Sequence, residues 1–132
     1  MKITATYEVR YTFKKIHATS SEVIGEIQDS QFDFTVPIKS FFSGDSNQDS
    51  HMLQVTEAAT YPSASATGKF KTDHIDAELD FHGIKRNYQL KREDHGRKAS
   101  FTLDLDAHGI KRPSLLGIKI KNEVLMTFKL GQ

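Results

Sequence analysis

The 132-residue chain has no cysteine. Disulfides, thiolate metal sites and cysteine nucleophiles are thereby excluded, while the redox compartment stays open, because a cysteine-free chain survives in either. Tryptophan is absent too, so the aromatic content rests on nine Phe and four Tyr. Phe rings can be buried without an obligatory N–H donor, and the lack of indole argues against sugar stacking. Neither sign of charge dominates: 18 Lys and Arg stand against 17 Asp and Glu. That balance, with no polybasic block, gives no electrostatic reason to expect nucleic acid as a partner. No apolar run approaches the ~18 residues of a membrane-spanning helix, so stable membrane insertion is not expected. Met1–Arg10 carries charges where a signal peptide needs an unbroken apolar stretch. The chain as it stands is therefore expected in the cytoplasm, or in the periplasm if a signal was removed.

What is present is the composition of an ordinary globular protein, 37% hydrophobic and 27% charged. The length suits one domain over residues 1–132, large enough to bury a core without staples. The dominant pattern has period 2. Apolar and polar residues alternate through Tyr7–Phe13, Phe32–Ile38, Ile75–Phe81 and Phe101–Asp106, and Val124–Leu130 keeps an apolar face at its even positions. Such alternation sets one face of each strand against apolar surroundings and the other in water. Weaker strands are expected at Val23–Ile27, Ala64–Lys71, Tyr88–Arg92 and Leu116–Lys121. About eight or nine short strands between turn-rich segments point to an antiparallel sandwich or barrel. Turns fall at Thr72-Asp73, at Glu93–Gly96, whose Gly suits a positive φ, and at Lys121–Glu123.

Two features interrupt the alternation. A polar loop, Ser43–Ser50, precedes Met52, Val55 and Ala58/Ala59, whose spacing predicts one short helix. Asp45 and Gln48 resemble a capping box, and Tyr61-Pro62 is expected to end the helix. The second feature is an echo: Asp80-Phe81-His82-Gly83-Ile84-Lys85-Arg86 returns as Asp106-Ala107-His108-Gly109-Ile110-Lys111-Arg112. Two copies are too few for a solenoid, and the echo reads as a repeated hairpin corner.

The chemistry-bearing residues form no recognised catalytic or metal motif. His17, His51, His74, His82, His95 and His108 include no His-Glu-x-x-His pair, although facing strands could bring His82 and His108 together. The Ser43–Ser50 loop lacks the acidic alternation of a calcium site. No Gly-x-Ser-x-Gly elbow or phosphate-cradling glycine loop occurs, and Asp104/Asp106 fall on the outer face of their strand. Lys85, Arg86, Lys111 and Arg112 make two basic corners, either solvated or facing an anion. No metal, cofactor or enzymatic activity is expected.

Several ordered segments resemble one known family. Val36-Pro37-Ile38, the run from Ser43 to Met52 and Tyr61-Pro62 resemble the middle of YceI-like proteins, the polyisoprenoid-binding family. Leu79-Asp80-Phe81-His82-Gly83-Ile84 resembles the family's strand closing on His-Gly-Val/Ile. Phe101–Leu105 followed by His108-Gly109-Ile110-Lys111-Arg112-Pro113-Ser114-Leu115-Leu116 resembles its Phe-Gly-Ile-x-Arg-Pro-Ser-Leu element, with His108 where many members have Phe. Asn122-Glu123-Val124 opens a matching last strand. The likeness runs from about Gly25 to Leu130 and is weaker in the N-terminal third.

The resemblance implies an all-β fold: an antiparallel lipocalin-like barrel of about eight strands with one short helix after a polar loop. It also implies a lumen that holds an isoprenoid chain, a polyprenyl lipid or a quinone tail, as ligand. Alternation by itself makes Tyr7, Val9, Tyr11, Phe13, Phe32, Phe34, Val36, Ile75, Leu79, Phe81, Phe101, Leu103, Leu105, Met126 and Phe128 the inward residues. These side chains either fill a small barrel or line a ligand cavity. The resemblance favours the cavity and adds His51 and Met52, since the family's equivalent segment crosses near the barrel. It also leads Arg112 to be expected in a pair with an acid. The expected function is to sequester or carry an isoprenoid lipid, with a homodimer possible through edge strands. The alternative is a filled barrel that recognises a carbohydrate or protein partner through its outer surface.

Overall fold

The computed structural model describes residues 2–10, 15–112, 114, 115, 118, 119 and 121–131, and for 114, 115, 118 and 119 the backbone alone. Nine strands form one curled antiparallel sheet: β1 (Lys2–Arg10), β2 (Lys15–Ser20), β3 (Ile24–Gln28), β4 (Gln31–Pro37), β5 (Ser63–Phe70), β6 (His74–Phe81), β7 (Ile84–Glu93), β8 (Lys98–Asp104) and, after two short strands, β11 (Glu123–Gly131). Their order is β2-β1-β11-β8-β7-β6-β5-β4-β3, and β9 (Ser114–Leu115) pairs with β10 (Ile118–Lys119) in a separate ladder. The fold is the expected lipocalin-like barrel with one α-helix, as a half-barrel with nine strands in the main sheet. No helix among the described residues is long and apolar enough to cross a membrane.

The alternation explains the strands. Phe32, Phe34 and Val36 of β4 are buried while Asp33 and Thr35 are exposed, and β6 buries Ile75, Ala77, Leu79 and Phe81 by the same rule. Strand β1 begins at Lys2, ahead of the expected Tyr7, because Ile3 and Ala5 continue its inward face. The expected residues Tyr11 and Phe13 lie outside the described residues. So does part of the Leu116–Lys121 segment, whose described piece is β10. Strand β2 was not anticipated: its inward side is Ile16, Ala18 and Ser20, two of them too small to register as an apolar stripe.

The curled sheet has β2 and β3 at its ends, and a connection, not a ladder, joins its two sides. The 3-10 turn Ile38–Ser40 leads to Phe42, whose N–H and C=O both bond Thr19 of β2, at 3.0 and 3.1 Å. Beside that bridge runs a relay of donors. The Glu22 amide donates to Ser20 Oγ at 3.1 Å, the Ser20 hydroxyl bonds Ser40 Oγ at 2.6 Å, and Ser40 donates to the Pro37 carbonyl at 2.6 Å. Ser20 is fully buried and has its hydrogen bonds met by this chain.

A second irregularity lies between β7 and β8. Their pairing runs only from Glu93↔Lys98 to Lys91↔Ser100, and beyond it the strands part. The turn after β8 fills the opening. Asp104 Oδ1 accepts from the Ala107 amide at 3.0 Å and from Asn122 Nδ2 at 2.7 Å, which starts a 3-10 turn over Asp106–His108 ending at Gly109 (φ 70°). The echoed segments are therefore not equivalent corners. The first forms a tight β6–β7 hairpin with positive φ at His82 and Gly83, and the second leaves the sheet. They interlock: His82 Nδ1 donates to the His108 carbonyl at 2.9 Å, and His108 Nδ1 reaches back to the carbonyls of Ile84 and Phe81 at 3.0 and 3.2 Å.

Candidate functional site

The curl of the sheet leaves an unfilled space. Tyr7 and Val9 of β1, Phe34 and Val36 of β4, Leu79 and Phe81 of β6, Phe101 and Leu103 of β8, Leu105 just past it, and Met126 and Phe128 of β11 line one cavity of about 130 Å3. His51 and Met52 line it from the other side. Phe32 and Ile75 lie elsewhere, in a second cavity of about 30 Å3 with Phe70 and Leu90. The candidate residues thus divide between an upper and a lower chamber. Phe34, Ala66, Leu79, Phe101 and Phe128 border both.

The space exists because β5 contributes little volume. Its inward positions beside the upper chamber are Ala64 and Ala66, the latter opposite the larger Phe34 and Leu79 in the neighbouring registers, and Gly68 and Phe70 follow toward the lower chamber. Gly68 lies so close to the ring of Phe32 that an added Cβ would meet it at 2.6 Å. Small residues on an alternating strand carry almost no hydropathy signal. Ala64 and Ala66 were therefore missed as lining, along with Ile38, Phe41 and Ile110, which belong to connections.

The cavity is roofed by α1 (Ser46–Val55). Asp45 caps it, accepting from the amides of Asn47 and Gln48 at 3.0 and 3.2 Å, so the helix begins inside the expected polar loop. It also ends before the predicted Ala58/Ala59. Glu57 adopts a left-handed φ of 51°, its amide bonds Gln54 O at 3.1 Å and the Ala58 amide bonds Leu53 O at 3.0 Å. Those are the two closing bonds of a Schellman motif, here without the usual glycine. Gln48, His51, Met52, Val55 and Thr56 share one helical face, and all five line the upper chamber. No residue of α1 is fully buried, and the helix lies over the chamber with Met52, Leu53 and Val55 packed against the core. His51 both lines the chamber and is exposed, which places a route to solvent beside α1.

A hydrogen bond ties this roof to the barrel. Glu57 Oε1 lies 2.7 Å from His82 Nε2, while His82 Nδ1 holds the His108 carbonyl. The Tyr61 ring packs on His82 at 4.6 Å and on Gly83, where a Cβ would meet Tyr61 at 2.8 Å. With its positive φ, the Gly83 position admits only glycine without strain.

His82 and His108 do come together, through backbone carbonyls and not around a shared metal position. Among the described residues no three His, Asp or Glu side chains converge as metal ligands. Fully buried His108 is held as the Nδ1–H tautomer, because the carbonyls at Nδ1 can only accept, and its Nε2 accepts from the Tyr88 hydroxyl at 2.8 Å. Burial pushes its pKa below the ordinary histidine value. The bonds from Asn122 and the Ala107 amide hold Asp104 below the usual carboxylate range. Of the basic corners, Arg112 grips Asp106 with Nε and Nη2 at 3.0 and 3.2 Å, as anticipated. Lys85, Arg86 and Lys111 are exposed. The upper chamber is lined without a carboxylate, lysine or arginine, so it offers shape and dryness and few polar contacts.

The family model of the YceI-like domain matches residues 1–131. Among solved structures, the fold is similar to Burkholderia cenocepacia BcnA, with a TM-score of 0.75 and 13% identity over 96% of this chain and 93% of that one. It is also similar to a polyisoprenoid binding domain from Saccharophagus degradans implicated in plant cell wall breakdown (TM-score 0.67, 14% identity, 96% and 90% covered). A third is the Campylobacter jejuni YCEI protein (TM-score 0.64, 16% identity, 76% and 75% covered). At these identities the likeness is one of fold. No curated protein sequence matches the chain.

Proposed function

From the premise that the chain belongs to the YceI-like family, we propose that it binds an isoprenoid lipid, the tail inside the barrel and the polar head beside α1, and so sequesters or carries it. The observation that carries this reading is the upper chamber: an apolar space, open to solvent beside α1, under a helix that has no fully buried residue. A soluble fold normally fills such space, since each void forfeits packing energy. The polyisoprenoid-binding neighbour supports the same class of ligand.

The lining suits a tail better than a reacting substrate. Apolar transfer returns about 25 cal/mol for each Å2 dried, needs no charge, and is non-directional, as an isoprenoid chain requires. Gln48, His51 and Thr56 at the roof supply the few hydrogen-bonding atoms that a hydroxyl, phosphate or quinone carbonyl would use. The proposed role is therefore binding, not catalysis. Organic extraction of the purified protein followed by mass spectrometry tests it. A reproducible isoprenoid is the expected result. A protein that comes out empty and takes up no added prenyl alcohol overturns the reading.

A further inference from the structure

The two chambers meet at a wall of rings. Phe101 on β8 stacks on Phe128 of β11 with centroids 6.3 Å apart and an 11° tilt, and Phe34 reaches in from β4. Phe101 is buried and cannot turn freely. Tyr88 backs it at 4.8 Å, and Tyr88 is itself fixed by its bonds to His108 and to the Asp104 amide, at 2.8 and 3.3 Å. The wall is thus braced by the polar network that fills the β7–β8 opening.

The volumes on either side are unequal. An apolar cavity of roughly 150 Å3 accepts a six-carbon ring, so the upper chamber at about 130 Å3 takes about one five-carbon isoprene unit. The lower chamber, at about 30 Å3, is too small for one unit. Building on the proposed isoprenoid binding, we infer that Phe101 and Phe128 set the length of tail the lumen buries, admitting about one isoprene unit above the wall and excluding the rest of a longer chain. Phe101 is the specificity-determining residue, since its ring both floors the upper chamber and caps the lower. Removing it joins the two spaces and adds the ring's own volume.

The experiment is calorimetric titration of the whole chain with prenyl alcohols of one, two and three isoprene units, for wild type and Phe101→Ala. In the wild type, affinity gains less than about twofold per unit beyond the first, because the added carbons stay wet. In Phe101→Ala the second unit gains about tenfold, since at ~0.8 kcal/mol per CH2 even a partly buried unit is worth that much. Adding Ala99→Leu, which fills the lower chamber, removes the gain. Phe128→Ala is the second variant, because Phe128 is only half-buried and its loss spares the fold more than Phe101 does. The same length dependence in wild type and folded variants overturns the wall as a length gate. Failure of every alcohol to bind any of these proteins overturns the isoprenoid reading instead.

Discussion

The Tyr88 hydroxyl donates to Nε2 of His108 across 2.8 Å, and so closes the gap that β7 and β8 leave when their pairing stops at Lys91↔Ser100. The same oxygen accepts from the Asp104 amide, and on the other side of the His108 ring Nδ1 donates to the carbonyls of Ile84 and Phe81. A side chain here does the work of a strand ladder. Buried backbone groups must be paired, and the turn after β8 carries their partner into the opening.

This arrangement makes stability depend on pH. The fold holds His108 neutral, with its pKa below the ordinary value because it is buried, while the unfolded chain takes up the proton below about pH 6.5. The unfolded state then binds more protons, so stability falls as pH drops through about 6.5 and goes on falling until the folded-state pKa is reached. His108→Phe removes that contribution. Its stability deficit against wild type should narrow between pH 7 and pH 5 in thermal unfolding. A deficit constant across that window would count against a neutral His108.

Tyr88→Phe tests the same junction at constant pH. It leaves two groups without a partner, the His108 Nε2 and the Asp104 N–H. An orphaned buried polar group costs about 1–3 kcal/mol. Urea unfolding should show a loss of that size, and amide exchange at Asp104 should accelerate while exchange in β4 does not.

The parts of the fold that were legible in the sequence are those where large apolar residues alternate. Phe32/Phe34/Val36, Ile75/Leu79/Phe81 and Phe101/Leu103 announced both their strands and their inward side. Ala18 and Ser20 hid β2, and Ala64 and Ala66 hid the side of the chamber that makes it a chamber, because small inward residues mark space by lacking bulk. On α1 only His51 and Met52 were legible as lining, through the family resemblance; Gln48 and Thr56 are polar residues suited to a roof and not to a core, and they left no apolar stripe. The echoed corners misled for a local reason. Asp104, two residues ahead of the second copy, is short enough to cap a turn, whereas the residue two ahead of the first is Glu78, and the chain there passes into a hairpin.

Glu57 should act on the mobility of the roof more than on stability. In its left-handed position a non-glycine residue bears strain of about 1 kcal/mol, and its exposed hydrogen bond with His82 returns about 0.5–1 kcal/mol. Glu57→Gly relieves the strain and loses the bond, so its melting temperature should stay near wild type. Glu57→Ala keeps the strain and should be less stable by about 1 kcal/mol. Both lose the tie to the β6–β7 turn, and both should release a bound prenyl alcohol faster in stopped-flow dilution. Unchanged release from both variants would mean that α1 is held by its packing alone.

Filling the upper chamber separates its two possible meanings. If the space serves a ligand, the fold forgoes packing energy to keep it open, and a larger side chain there should exchange binding for stability. Ala64 is suited to this because it lines the upper chamber alone and faces it from a regular strand. Ala64→Leu adds three carbons, which the available volume accommodates, and filling a cavity in this way contributes about 0.5–2 kcal/mol. If the side chain were instead forced against Val36, its partner across β4–β5, overpacking would cost about 1–3 kcal/mol. The expected outcome is a melting temperature at or above that of wild type together with loss of prenyl alcohol binding by calorimetry. A variant that is destabilised yet still binds would show that the tail lies somewhere other than beneath α1.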